Sequence, residues 1–187
     1  MIYLDYQATT PLAPEALAAM QPWLANGFAN PHSPHRLGRA AAAAVEVARD
    51  QVAALLPPGG RVIFTSGASE AINLAMKGSL ASRPRPVIAA SAIEHAAVLD
   101  TARFVARSGA FHALPVGGDG VVAPDAELPE ALDLLAVMHV NNEIGTIQPV
   151  ADLAARAQAK GVLFLCDAVQ SYGRIAIAHG PDMIALS

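Results

Sequence analysis

The spacing of apolar and polar residues changes several times along the chain, and each change indicates a new element. Alanine-rich segments with helical spacing come first, at 14–26 and 38–56, and Pro14 stands where a helix can begin. Short apolar runs typical of buried strands then alternate with helical segments. The predicted strands are 61–65, 86–90, 111–116, 134–140, 162–166 and 182–186, and the later predicted helices are 70–80, 95–108 and 150–160.

This alternation predicts a mostly parallel sheet, because parallel neighbours need a crossover that is usually a helix. A hydrophobic content of 53% and a charged content of 15% are typical of strands buried on both faces. We find no internal repeat and no linker rich in glycine and serine. We therefore expect an α/β fold with helices on both faces of the sheet, as one domain over residues 1–187.

Charge and leader patterns restrict the partners and the compartment. The formal charge is −4, and the 12 lysines and arginines are dispersed, so no basic patch faces nucleic acid or an anionic membrane. Residues 1–5 lack the pattern of a signal peptide, and no stretch has the length of a membrane span. The single cysteine, Cys166, excludes an internal disulfide. We expect a cytoplasmic protein that binds neither nucleic acid nor membranes.

Polar residues follow the predicted strands, and ligands of open parallel sheets bind beyond these carboxyl ends. The segment 65–70, Thr-Ser-Gly-Ala-Ser-Glu, joins the first predicted strand to a helix. The backbone N–H groups of such a helix start suit a phosphate group. The alternative is a capping box, in which Ser66, Ser69 and Glu70 only satisfy the start of the helix.

The later strands are followed by further candidates. His95 begins a helix, where a neutral imidazole can stack on a planar ligand or move protons, or simply cap the helix. Asn141 and Asn142 follow the fourth strand, where they can bind a ligand or only shape a turn. Asp167 and Gln170 follow the fifth strand. A charge at the end of a buried strand needs a partner, so Asp167 is the hardest of these residues to explain by structure alone.

Three other features indicate structure and not chemistry. The segment 117–120, Gly-Gly-Asp-Gly, lacks the following lysine and hydroxyl residue of a phosphate loop and is predicted to be a turn. Cys166 ends an apolar run and is expected to be a small buried hydrophobe. His139 has no His, Cys or acidic residue at metal-ligand spacing, so we predict no metal site.

Six segments in the same order closely resemble the cysteine desulfurases, which belong to the class V aminotransferase-like group of fold-type I pyridoxal-phosphate enzymes. The resemblance spans essentially the whole chain and is more specific than any one segment. The segments are 4–11, 30–39, 64–70, 94–100, 138–145 and 167–171. The resemblance implies that the chain is the large, cofactor-binding domain of such an enzyme.

The resemblance also implies how a pyridoxal 5′-phosphate site would be built. Ala68 and Ser69 would bind the phosphate, with Ser69 where the family commonly has threonine. Ser187 resembles a further phosphate-binding serine that precedes a His-Lys pair in the family. His95 would be the catalytic residue of this portion and would stack on the pyridine ring.

The remaining contacts implied by the resemblance concern the atoms of the ring. Asn142 would approach the phenolic oxygen or the substrate, and Gln170 would hydrogen-bond that oxygen. Asp167 would pair with the ring nitrogen. A carboxylate there keeps the nitrogen protonated, so the ring can accept the electrons left when a Cα proton departs.

For the complete protein, the resemblance implies a sulfurtransferase that takes sulfur from L-cysteine and forms alanine and an enzyme persulfide. The sulfur would pass to iron–sulfur cluster scaffold proteins or other acceptors, and the full-length enzyme would be a homodimer. The chain stops at Ser187, before the lysine, the catalytic cysteine and the small domain of the family. We therefore expect a truncated domain with weak or no turnover alone, and Cys166 does not match the catalytic cysteine.

Two other interpretations stay open. Selenocysteine lyases and other class V enzymes share the same pocket residues, although the segment 138–145 favours the desulfurase. In the second interpretation, the chain is a non-catalytic module that binds the cofactor loosely or only pairs with a partner.

Overall fold

The structure is a computed structural model that describes residues 2–187. The chain divides into two compact units between Val62 and Ile63. The first unit contains α1 (Pro14–Ala25) and α2 (Arg36–Ala53). All other helices and all strands of the described residues lie in the second unit, and the single domain expected for the whole chain stays a prediction.

Both helices of the first unit were predicted, and local residues explain where they begin. Pro14 occupies the first turn of α1, where its missing N–H group is not needed. The helix α2 begins slightly before the predicted start because His35 caps it, accepting a hydrogen bond on Nδ1 from the Gly38 N–H at 3.2 Å. The alanines that follow have the highest helix propensity and extend the helix.

The second unit is a parallel sheet with its crossover helices. In chain order its elements are α3 (Ala68–Ser79), β1 (Val87–Ser91), α4 (Ala96–Val105), a 3-10 turn (Ala106–Ser108), β2 (Ala110–Leu114), β3 (Leu134–Ala136), α5 (Val150–Ala159), β4 (Leu163–Asp167) and β5 (Met183–Ala185). The five strands are parallel and lie in the order β2-β1-β3-β4-β5. The predicted α/β class is confirmed, and so are five of the predicted strands.

The strand order places a ligand crevice between β1 and β3. The chain passes from β1 to one edge of the sheet and then returns to the other side of β1. Such a reversal leaves an open crevice at the carboxyl ends of the two strands beside it. The polar loops that follow β1 and β3 therefore border this crevice.

Helices cover both faces of the sheet. Side chains of α3 and α4 pack on one face in a single core cluster, which includes Ile72, Met76, Val98, Ala102, Ile88, Leu134 and Leu165. The helix α5 packs against β4 and buries Leu153 and Ala157. Each fully buried aliphatic side chain stabilises the fold by about 1.5–3 kcal/mol, so packing of the two layers sets the position of the strand ends.

The first predicted strand, 61–65, is wrong. These residues belong to no strand of the sheet, and the side chains of Ile63 and Phe64 are 65% and 50% exposed. The apolar β-branched pattern gives this segment a preference for extended backbone, but a strand also needs a neighbouring strand in register. Within residues 2–187, the parallel sheet is completed by the other five predicted strands.

Gly109 lies where the starts of β1 and β2 approach closely. A Cβ atom added to Gly109 would be 1.9 Å from the carbonyl oxygen of Pro86, which accepts a hydrogen bond from the Ala110 N–H at 3.0 Å. We expect Gly109→Ala to lower the free energy of unfolding by about 1–3 kcal/mol because two backbones must separate. Urea unfolding measures this change.

Gly118→Ala is the matched control, because an added Cβ atom at Gly118 would have no neighbour within 4 Å. It should change the free energy of unfolding by no more than about 0.5 kcal/mol. Equal effects of the two substitutions would show that the contact at Pro86 is not the cause.

Candidate functional site

Most of the predicted site residues lie at the carboxyl ends of the parallel strands. His95 follows β1, Asn142 follows β3, Asp167 ends β4, and Ser187 follows β5. These four strands are parallel neighbours, so their carboxyl ends lie side by side at the same end of the sheet. Gln170 lies just beyond β4 at the same end.

The start of α3 has the open backbone that was predicted for a phosphate group. Its N-cap is Gly67, with φ +157°, and no side chain caps the helix. Glu70 accepts a hydrogen bond from the Ser66 N–H at 2.6 Å, and hydrogen bonds from Ser66 lower the pKa of Glu70. The reciprocal capping box is therefore not formed, and Ala68 and Ser69 present the first N–H groups of the helix.

A cleft of about 360 Å³ lies between α3 and α4. Its lining includes Ser69, Asn73, Lys77, His95, Asp100 and Phe104. Ser69, Asn73 and Lys77 are four residues apart, so they share one face of α3. Sequence reasoning missed Asn73 and Lys77, although this regular polar spacing in an alanine-rich helix was the available signal.

His95 has the capping role that was one of the two weighed for it, and its contact with a ligand stays a prediction. It is the N-cap of α4, and its Nδ1 accepts a hydrogen bond from the Ala97 N–H at 3.1 Å. Since Nδ1 is an acceptor, the neutral ring carries its proton on Nε2. The capping bond fixes the ring where it lines the cleft, so capping and ligand contact are compatible.

Asp167 is a buried carboxylate without an ionic partner in the described chain. Its exposed fraction is 6%, and its Oδ1 accepts a hydrogen bond from the Val169 N–H at 3.0 Å. No ion pair within residues 2–187 includes Asp167. Burial raises the pKa of Asp167, and the field of His95 opposes this rise. A positively charged group beside Asp167 would stabilise the ionised carboxylate.

Only Ser69 and His95 of the predicted residues line the cleft, and the other five do not: Ala68, Asn142, Asp167, Gln170 and Ser187. Asn142 is half-buried, and its Nδ2 donates to the Glu143 carboxylate at 3.0 Å. The Gln170 side-chain oxygen accepts from Arg174 at 2.9 Å. Ser187 is exposed. Their ligand contacts therefore stay predictions.

Two buried residues beside the site, Glu94 and Asn141, are not among the cofactor contacts that the resemblance implies. Glu94 precedes His95 and is 6% exposed. Asn141 shapes the turn that was one of its two alternatives, because its Oδ1 accepts from the N–H groups of Glu143 and Ile144. A carboxylate three residues after a buried strand was the signal for Glu94, since buried acids require compensating contacts.

The turn and the buried cysteine that the sequence predicts are both present. The segment 117–120 is a turn, with a hydrogen bond from the Gly120 N–H to the Gly117 carbonyl at 2.9 Å. Cys166 is fully buried, and burial raises the pKa of its thiol. No three His, Cys, Asp or Glu residues in the described part of the chain form a metal-binding group. None of the helices between residues 2 and 187 has the length and apolar character needed to cross a bilayer.

The chain is similar to known proteins along nearly its whole length. The family model described as Aminotransferase class-V matches residues 2–187. A relative named cysteine desulfurase IscS, from Dictyoglomus turgidum, is 40% identical over 198 residues and covers 100% of this chain and 50% of its own length. Another IscS, from Azotobacter vinelandii, is 45% identical over 94% of this chain and 46% of its own length.

The chain is also similar to a solved structure. One described as SspA in complex with cysteine has a TM-score of 0.89 and 34% identity, over 99% of this chain and 56% of that one. Five parallel strands and their helices thus match a known fold over essentially every residue. The chain spans about half the length of the curated relatives that it matches.

Proposed function

This chain belongs to the aminotransferase class-V family, and from that premise we propose that the full-length protein is a pyridoxal-phosphate-dependent cysteine desulfurase. The observation that carries the proposal is the buried, ionically unpaired Asp167 at the end of β4, which is close enough to His95 for the two side chains to interact electrostatically. The relatives named cysteine desulfurase and the related structure solved with cysteine support this choice within the family.

The described residues fit pyridoxal phosphate. The start of α3 has no capping side chain and suits the phosphate group. The cleft beside it has a volume in the range of small-ligand sites. Asp167 lacks an ionic partner that a protonated ring nitrogen would provide. When bound, the cofactor supplies an electron-accepting ring that stabilises the charge left by a departing Cα proton.

Each predicted residue has a definite task in this proposal. Ala68 and Ser69 hold the phosphate group with their N–H groups, and Ser187 adds a hydroxyl. His95 orients the ring by stacking on its flat face. The Nε2 proton of His95 is available to the substrate side because Nδ1 is occupied by the Ala97 N–H.

The tasks of the other three residues concern charge and hydrogen bonds at the ring. Asp167 keeps the ring nitrogen protonated. Gln170 donates to the phenolic oxygen, and Asn142 approaches the same oxygen or the substrate. These contacts require Asn142 to exchange its present bond to Glu143, and the amide NH₂ group is the donor of the Gln170 side chain.

The proposed reaction transfers one sulfur atom. The C–S bond of L-cysteine breaks, the sulfur joins a protein thiolate as a persulfide, and the remaining carbon skeleton leaves as alanine. Iron–sulfur scaffold proteins or other sulfur acceptors are the proposed recipients, and a cytoplasmic homodimer is the proposed state. The buried, unpaired Cys166 is consistent with a reducing compartment.

The test is product analysis with the full-length protein loaded with pyridoxal phosphate. We expect alanine and an equal amount of sulfide from L-cysteine in the presence of a thiol reductant. Selenocysteine is the comparison substrate, because a selenocysteine lyase would form alanine from it while leaving cysteine unchanged. Cofactor binding without alanine from either substrate would reject the desulfurase and leave the family unchanged.

A further inference from the structure

Two side-chain hydrogen bonds join the loop before α4 to the loop after β3. The Glu94 Oε1 accepts from the Met138 N–H at 2.7 Å. The Asn141 Nδ2 donates to the carbonyl oxygen of Ile93 at 2.8 Å. Because β1 and β3 are neighbours, both bonds cross between adjacent strand ends beside the crevice. We call these two bonds the Glu94–Asn141 clasp.

The clasp continues to the backbone of Asp167. The N–H of His139 donates to the carbonyl oxygen of Asp167 at 2.8 Å, and Met138 directly precedes His139. Met138 in turn donates to Glu94, which directly precedes His95. A short series of backbone and side-chain bonds therefore relates the position of His95 to that of Asp167.

Glu94 is bound as an acceptor and not as half of an ion pair. Its Oε1 also accepts from the Ser91 hydroxyl at 2.5 Å, whereas its Oε2 is buried with no partner among residues 2–187. Burial raises the pKa of Glu94 to about 8. The Glu94 carboxyl group is therefore neutral at pH 7. In this form its Oε1 keeps both hydrogen bonds, and no charge is buried.

Both ends of the Asn141 amide are used. Its Oδ1 accepts from the N–H groups of Glu143 at 2.8 Å and Ile144 at 2.9 Å, and its Nδ2 donates to Ile93. Two donors on one side and a carbonyl on the other determine which amide atom is oxygen. Asn141 is therefore oriented to join the two loops, in addition to shaping its own turn.

We propose that Glu94 and Asn141 are positioning residues, whose clasp holds His95 at the correct place relative to Asp167 for the cofactor. The proposal rests on the proposed function. His95 is fixed to its own helix by the Ala97 N–H, but that bond does not fix the helix start relative to β4. The clasp holds the start of α4 in place relative to β4. Small displacements of groups in a cofactor site have large effects on binding and reaction rate.

Glu94→Ala and Glu94→Gln separate the acceptor role from a role of charge. Glutamine keeps an oxygen where Oε1 accepts from Met138 and Ser91, whereas alanine removes it. We expect the Kd of the full-length apo-protein for pyridoxal phosphate to rise about tenfold in Glu94→Ala and to stay within about twofold in Glu94→Gln. Absorption titration measures the Kd, and exposed Glu130→Ala is the control.

Asn141→Asp tests the second bond and does not depend on the folding of Glu94→Ala. Aspartate keeps the oxygen that accepts from Glu143 and Ile144 but has no N–H group for Ile93. We expect a rise in Kd of about tenfold here as well. An unchanged Kd in a folded Asn141→Asp protein would remove Asn141 from the clasp.

The His95→Ala background shows whether Glu94 acts through His95. In that background Glu94→Ala should raise the Kd by no more than about twofold, because the residue that it positions is already absent. A rise that remains tenfold would overturn the proposal. So would a loss in Glu94→Gln as large as that in Glu94→Ala, because charge and not acceptor geometry would then be the cause.

A measurement without cofactor separates the clasp from the proposed function. The ring C–H resonance of His95 in the NMR spectrum of the apo-protein, identified by its loss in His95→Ala, should shift in Glu94→Ala and Asn141→Asp but not in Glu94→Gln. An unshifted resonance in both would overturn the proposal. If the unaltered protein binds no pyridoxal phosphate, the proposed function fails, and this resonance still decides whether the clasp positions His95.

Discussion

Asp167→Asn in the full-length protein should reduce alanine formation from L-cysteine by about 10²–10⁴-fold. Asparagine has nearly the same shape and keeps an oxygen for the Val169 N–H. It cannot, however, hold a positive charge on the ring nitrogen, so the cofactor loses much of its capacity to accept electrons. The measurement is kcat with saturating pyridoxal phosphate, so that weaker cofactor binding does not contribute.

Exposed Asp125→Asn is the control and should leave kcat unchanged, since this change removes a carboxylate that touches no site residue. The apo-protein offers a second readout of the opposite sign. Burial raises the pKa of Asp167, so its charge at neutral pH is unfavourable for folding, and Asp167→Asn should raise the Tm of the apo-protein. A full-rate Asp167→Asn enzyme would contradict the assigned role of this carboxylate.

The second large effect is a decrease in stability as the pH rises from about 4.5 to about 8. Glu94 has an ordinary pKa of 4.5, which burial raises to about 8 in the folded protein. Between these values the folded state keeps a proton that the unfolded state has released. The contribution of Glu94 is therefore complete below pH 4.5 and is lost as the pH rises, by about 1.4 kcal/mol for each pH unit.

Glu94→Gln isolates this contribution, because glutamine keeps the acceptor oxygen but does not titrate. Other groups also change stability with pH. Burial raises the pKa of Asp167, which adds to the slope, and lowers the pKa of His139, which opposes it by destabilising the fold in acid. Both groups are present in the two proteins, so their own titrations cancel in the difference, while the effect of the Asp167 charge on Glu94 stays within the Glu94 contribution. The free-energy difference from urea unfolding should increasingly favour Glu94→Gln up to about pH 8, and a constant difference would mean that Glu94 is not buried as a neutral acid.

The local sequence pattern was sufficient to predict most helices and strands of this protein. The periods of apolar residues predicted the helices and five strands of the sheet because burial on both faces requires continuous apolar runs in short strands. The same logic located Asp167, since a charge at the end of such a run has no local explanation. The segment 61–65 failed because extended backbone preference does not provide a neighbouring strand.

The sequence by itself determined the order of helices and strands, the parallel character of the sheet, and the edge where polar side chains gather. Each of these follows from periodicity and from the crossover that parallel strands require. Only the tertiary structure decided that Glu94 accepts from Met138, that Asn141 reaches Ile93, and that Lys77 shares a cleft with His95. The residues joined by Glu94 and Asn141 lie more than forty positions apart. Packing of the layers, and not local spacing, brings such residues within hydrogen-bond distance.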